Sequence, residues 1–73
     1  MWEKFTVGKY QVEAKVFDEP DDRGLQGAQR VTKLSISVGG VQVYNFSRGL
    51  DFCDVSDRVL GDIVAVLQAK FPD

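Results

Sequence analysis

The chain is predicted to be an α+β domain: a four-stranded, mainly antiparallel sheet of two hairpins, with one C-terminal helix packed on one face. Three observations predict it. Within RVTKLSISVGGVQVYNF (Arg30 to Phe46), two alternating β-branched runs flank Gly39-Gly40, a short-range signal for a hairpin. A second pair of runs, WEKFTV (Trp2 to Val7) and YQVEAKVF (Tyr10 to Phe17), flanks Gly8-Lys9. Near the C-terminal end, Val59, Leu60, Ile63, Val64, Leu67 and Phe71 recur at helical spacing as one wide apolar stripe.

The first hairpin makes sense on both faces. A type II′ turn at Gly8-Lys9 sets Phe5 opposite Val12 and Val7 opposite Tyr10. On the reverse side Lys4 meets Glu13 and Trp2 meets Lys15, contacts that contribute about 0.2–1 kcal/mol each. The next segment, DEPDDRGLQGAQ (Asp18 to Gln29), holds Pro20, Gly24 and Gly27 with four acidic side chains. Such a stretch forms no regular element and reads as a solvated loop.

In the central hairpin Leu34, Ile36 and Val38 share one face, and Lys33, Ser35 and Ser37 the other. Two registers compete after the turn. A two-residue loop at Gly39-Gly40 pairs Val38 with Val41, Ile36 with Val43 and Leu34 with Asn45, turning Tyr44 and Phe46 away from the core. A three-residue loop with a bulge pairs Ile36 with Tyr44 and Leu34 with Phe46, burying both rings. The two-residue loop is the one adopted here, and much of the functional reading hangs on it.

Ser47 to Asp54 (SRGLDFCD) reads as a turn. Asp54 and Ser56 are both candidate N-caps for a helix running to about Lys70. Ser56 would let Val55 and Leu60 form a hydrophobic staple. Asp57 suits the positive N-terminal end, and Pro72 stops the helix.

Length and composition bound the function. The 73 residues make one small domain, 1–73, expected to be stable by about 4–10 kcal/mol. A net charge of −2 argues against non-specific attachment to nucleic acid. No apolar run is long enough to span a membrane and no leader is recognisable, so neither insertion nor export is expected. The lone Cys53 cannot form an internal disulfide, which places the chain in a reducing cytoplasm.

Catalytic equipment is sparse. With no histidine, Cys–His and Ser–His pairs are excluded within one chain, as are histidine-ligated zinc sites. Cys53 reads as a small apolar residue rather than a nucleophile. Asp51, Asp54 and Asp57, and separately Asp18, Glu19, Asp21 and Asp22, are clustered oxygens, but neither set matches a calcium loop. The glycines match no phosphate-binding fingerprint. The chain is therefore read as a non-enzyme with no cofactor.

The helix can cover only one side of the sheet. In the adopted register the other side carries Trp2, Lys15, Phe17, Lys33, Tyr44 and Phe46, with Arg48 close by. Aromatic rings interleaved with basic side chains, where an antiparallel sheet usually meets water, mark a docking or self-association surface. They also form, in principle, a stacking platform for single-stranded nucleic acid, the alternative made weaker by the acidic balance.

Three spaced blocks carry a resemblance. Ala14-Lys15-Val16-Phe17-Asp18-Glu19-Pro20, then Arg30 with Lys33-Leu34, then Arg48-Gly49 with Asp51, resemble a family of small uncharacterised bacterial and phage-associated proteins. Its pattern runs A-K-V-[FY]-D-E-P-S, G-G-R-I-S-K-L and Y-D-R-G-W-D. Asp21 stands in place of the serine, Ala28-Gln29 interrupts the double glycine, Ser47 replaces the aspartate and Leu50 the tryptophan. The resemblance implies a small intracellular α+β protein from a bacterium or mobile element, with no activity attached. It draws attention to Lys15, Asp18, Arg30, Lys33, Arg48 and Asp51, and with Glu19 the loop members Asp18, Arg30 and Asp51 form a second candidate group. The function expected is a non-catalytic accessory that binds a protein partner or a second copy of itself.

Overall fold

A computed structural model describes residues 1–72. The order along the chain is β1 (Trp2–Val7), β2 (Tyr10–Val16), β3 (Val31–Val38), β4 (Val41–Ser47), β5 (Leu50–Cys53) and α1 (Asp57–Lys70). All strand pairs are antiparallel, and their spatial order is their chain order, β1-β2-β3-β4-β5. The α+β class and the single C-terminal helix are as expected, but the sheet has five strands rather than four. The segment read as a turn, Ser47 to Asp54, contains the fifth.

β1 and β2 pair in the expected register, with Phe5 opposite Val12, Lys4 opposite Glu13 and Trp2 opposite Lys15. Between β3 and β4 the outcome is mixed. The two-residue turn forms: Val38 pairs with Val41, and Gly39 and Gly40 take φ of 58° and 79°, which only glycine adopts freely. One residue later β4 bulges, so Ile36 pairs with Tyr44 and Leu34 with Phe46. The pairing of Ile36 with Val43 and Leu34 with Asn45 is therefore incorrect. Tyr44 is 2% exposed and belongs to the cluster that contains Ile63 and Leu67, while Val41 lies outside it.

The bulge has a physical cause. Without it Asn45 would enter the core and leave a carboxamide unpaired, and two aromatic rings would face water. With it, Tyr44 and Phe46 join the apolar side, and Asn45 reaches Asp51 on β5 through Nδ2–H to Oδ2 at 3.0 Å. A further bulge falls where Lys15 pairs with Lys33 and Val16 with Val31, leaving Thr32 as the extra residue. Its side chain is buried, and Oγ1 has no hydrogen-bond partner. An unpaired buried hydroxyl costs about 1–3 kcal/mol. Thr32→Val is thus expected to raise the free energy of unfolding by about 1 kcal/mol or more. A urea midpoint that moves down instead would mean that the hydroxyl is partnered.

The helix starts where Ser56 Oγ accepts from the Val59 amide at 3.2 Å, and the staple pair Val55 and Leu60 is partly buried beside it. Asp54 is not the cap. Ile63 and Leu67 are fully buried, each worth about 1.5–3 kcal/mol. Lys70 lies over the Phe5 ring at 5.2 Å, and Phe71 closes the helix through its amide to the Leu67 carbonyl.

The loop from Asp18 to Gln29 is more than a solvated connection. Leu25 and Ala28 are buried members of the core. Gly27 has φ of 88°, and a Cβ there would lie 3.1 Å from Val64 Cγ1, so the loop packs directly against the helix. Its length has a structural reason, since it supplies apolar side chains beside the helix.

Candidate functional site

The helix-free face is built in rows by the strand register. One row reads Trp2, Lys15, Lys33, Ser47 across β1 to β4. The next reads Lys4, Glu13, Ser35, Asn45, Phe52, and a third Thr6, Gln11, Ser37, Gln42. Directly opposed residues stand about 5 Å apart. Most of this face is polar, as expected for the open side of an antiparallel sheet.

The first row is different. Lys15 and Lys33 face each other across β2 and β3, although like charges directly opposite destabilise a sheet. Phe17 continues beyond Lys15. The Lys15 ammonium lies 5.4 Å from the centre of its ring, and the Arg48 guanidinium 6.0 Å. Arg48 has φ of 53°, the only positive value among the described non-glycine residues, and its amide donates to the Thr32 carbonyl at 2.9 Å. Among the described residues the only ion pair is Lys4 with Glu13 at 4.0 Å, so Lys15, Lys33 and Arg48 have no carboxylate partner. Trp2 is 53% exposed at the end of the row. With Lys33, Leu34 and Ser35 on β3 and Asn45, Phe46 and Ser47 on β4 it lines a shallow depression of about 240 Å³.

The residues expected to form the docking patch therefore divide. Trp2, Lys15, Phe17, Lys33 and Arg48 are gathered at one end of the open face. Tyr44 and Phe46 are not: both lie on the helix side, because the β4 bulge reverses their direction. The loop group does not form a cluster. Asp18 and Glu19 are exposed, and Asp51 is engaged by Asn45. Arg30 is a clamp, its Nε–H donating to the Phe17 carbonyl at 2.8 Å and its Nη1–H to the Pro72 carbonyl at 3.0 Å. It joins the end of β2 to the end of the helix. Asn45, Ser47 and Phe52 were missed as members of the open face. Alternation along LDFC would put Phe52 on the same face as Leu50, and only the bulge at Asp51 separates them, so no local pattern signalled its placement.

Burial of Tyr44, with a smaller contribution from the neighbouring Cys53, pushes its hydroxyl above the ordinary value of 10.0. The folded state then holds the proton more tightly than the unfolded one. Tyr44 contributes no pH dependence below its unfolded value, and stability falls as pH rises through the alkaline range above it. Urea midpoints followed from about pH 8 to pH 11 should decline less steeply for Tyr44→Phe than for the wild type. Equal slopes would mean that the ring is not buried.

Among the described residues no group of His, Cys, Asp or Glu side chains is placed to hold a metal ion, and no helix is long and apolar enough to cross a membrane. The fold and the face together define a small α+β meander domain, with a core under one helix and a cationic, ring-bearing end on its open side. The chain belongs to the family described as Domain of unknown function (DUF7678), whose model matches residues 1–72. No curated protein and no solved structure matches it.

Proposed function

We propose that the protein is a non-catalytic binding domain whose helix-free face docks an anionic segment of a protein partner. One observation carries this: Lys15 stands directly opposite Lys33, beside Arg48, and among the described residues none of the three is paired with a carboxylate. The opposed lysines cost about 0.2–1 kcal/mol, and a non-glycine residue in the left-handed region about 1–3 kcal/mol. Local costs without local compensation are expected where a ligand supplies the missing interaction. Carboxylates of a partner would do so, and Trp2 and Phe17 would add apolar contact beside the cationic groups. Tyr44 and Phe46 take no part, so docking concentrates at the Phe17 end of the face. The sequence resemblance to small bacterial and phage-associated proteins supports an accessory that works by contact, in a cytoplasm where Cys53 stays reduced.

Single-stranded nucleic acid is the second reading, favoured by the depression that Trp2 walls, where a base could stack near Asn45 and Ser47. The net charge of −2 weakens it, because it opposes a densely charged phosphate backbone more than a short peptide. Trp2 is the only tryptophan, so its fluorescence reports directly on the site. A glutamate-rich peptide titrated at low salt should shift that emission, and added salt should reverse it. Tighter binding of oligothymidylate than of the peptide would favour the second reading. No response to either would remove both.

A further inference from the structure

We propose that the protein also self-associates through β5, two copies pairing edge to edge and antiparallel about a two-fold axis. This surface is separate from the docking face and does not depend on it. The two edges of the sheet are unlike. β1 carries charges along its length, with Glu3 on one face and Lys4 on the other. β5 has little protection beyond its shortness. Leu50 is 61% exposed and Phe52 40%, and Val41, at the free end of β4 beside it, is 62% exposed. The one charge within β5, Asp51, is drawn back over the sheet by Asn45. Sheet edges are ordinarily blunted by lysine, proline or a covering element, and an edge lacking these is a template for another strand.

The occupant that fits is a second copy. The bulge opposite Asn45 makes Asp51 the extra residue in β5. Leu50 and Cys53 therefore lie on the helix side, as partners of Phe46 and Tyr44, while Asp51 and Phe52 both lie on the open side with Asn45. That order reads the same from either end of the strand. In an antiparallel pair, Leu50 then opposes Cys53 of the second copy, and Asp51 opposes its Phe52. Directly opposed side chains must share a face, and here each pair does. No like charges stand directly opposite, and the contact is closed and isologous. The product is one continuous sheet with both helices on one side and both cationic ends on the other, so two docking sites face the same way. Four residues a side is a small interface, below about 1,000 Å², which implies a weak dimer with a Kd in the micromolar range or above.

Cys53 is the only cysteine and serves as the probe. In this register the two Cys53 Cα atoms lie about 11 Å apart, three residues along and one strand across. That exceeds the roughly 7 Å limit for a disulfide. Sedimentation of the full chain should show a concentration-dependent dimer that tightens as salt rises, since each copy carries −2. A short bis-maleimide should cross-link that dimer, whereas mild oxidation should not. At salt high enough to screen the net charge, Phe52→Glu, which sets a like charge opposite Asp51 of the second copy, and Leu50→Lys should each raise Kd at least tenfold with the circular dichroism spectrum unchanged, and Lys33→Glu should leave Kd as it is. Should one of these two β5 variants misfold, the other variant and the cross-link still decide. A strict monomer up to about 1 mM, or a dimer lost in Lys33→Glu but kept in Phe52→Glu under the same salt, overturns the proposal.

Discussion

Tyr44→Ala is expected to unfold a large share of the protein. Removing a buried ring costs about 3–5 kcal/mol through lost transfer energy and the cavity left behind. The whole domain is worth only about 4–10 kcal/mol, so the variant should be marginal at room temperature. Tyr44 is opposite Ile36 and sits in the same cluster as Ile63 and Leu67, both fully buried, so little around it can collapse into the space. Trp2→Ala is the contrasting case. Its ring is half exposed at a sheet edge, and its truncation should cost less than about 1 kcal/mol while impairing binding. Urea unfolding followed by circular dichroism separates the two. A Tyr44→Ala variant as stable as the wild type would place the ring outside the core and overturn the register.

Lys33→Glu should move stability and binding in opposite directions. It converts a cross-strand repulsion with Lys15 into an attraction, which should stabilise the fold by about 0.5–1 kcal/mol. At the same time it reverses one charge at the centre of the docking row. Loss of about 1.4 kcal/mol is a factor of ten, and reversing a charge that meets a partner carboxylate at low salt should cost at least that. The measurements are a urea midpoint and a Trp2 fluorescence titration with the same glutamate-rich peptide. A structural lysine would lose stability on this substitution; a binding lysine gains it and loses affinity. If affinity is unchanged, the opposed lysines do not carry the docking.

Legibility from sequence varied by element. The first hairpin was readable because its two faces agree: Phe5 with Val12 on one side and Lys4 with Glu13 on the other admit a single register. The helix was readable because its apolar stripe is long and Ser56 is followed by a suitable staple. VQVYNF was not, since it offers apolar residues on both parities: Val41 and Val43 against Tyr44 and Phe46. Local alternation cannot choose between those sets, and the core chose the larger rings. LDFC was too short to register as a strand. Arg30 looked like a surface cation, and only the folded chain brings the Phe17 and Pro72 carbonyls within its reach.

What the amino-acid order determined alone was the menu of elements: two glycine-turned hairpins, an amphipathic helix with its cap, and a chain without histidine. Where each side chain points was decided later, by packing. A bulge shifts a strand by one residue at small local cost, yet it moves every following side chain to the opposite face. That choice depends on which rings fill the space under Ile63 and Leu67, a distance in sequence that no local pattern spans. The same shift emptied the middle of the expected docking patch and left its cationic end in place.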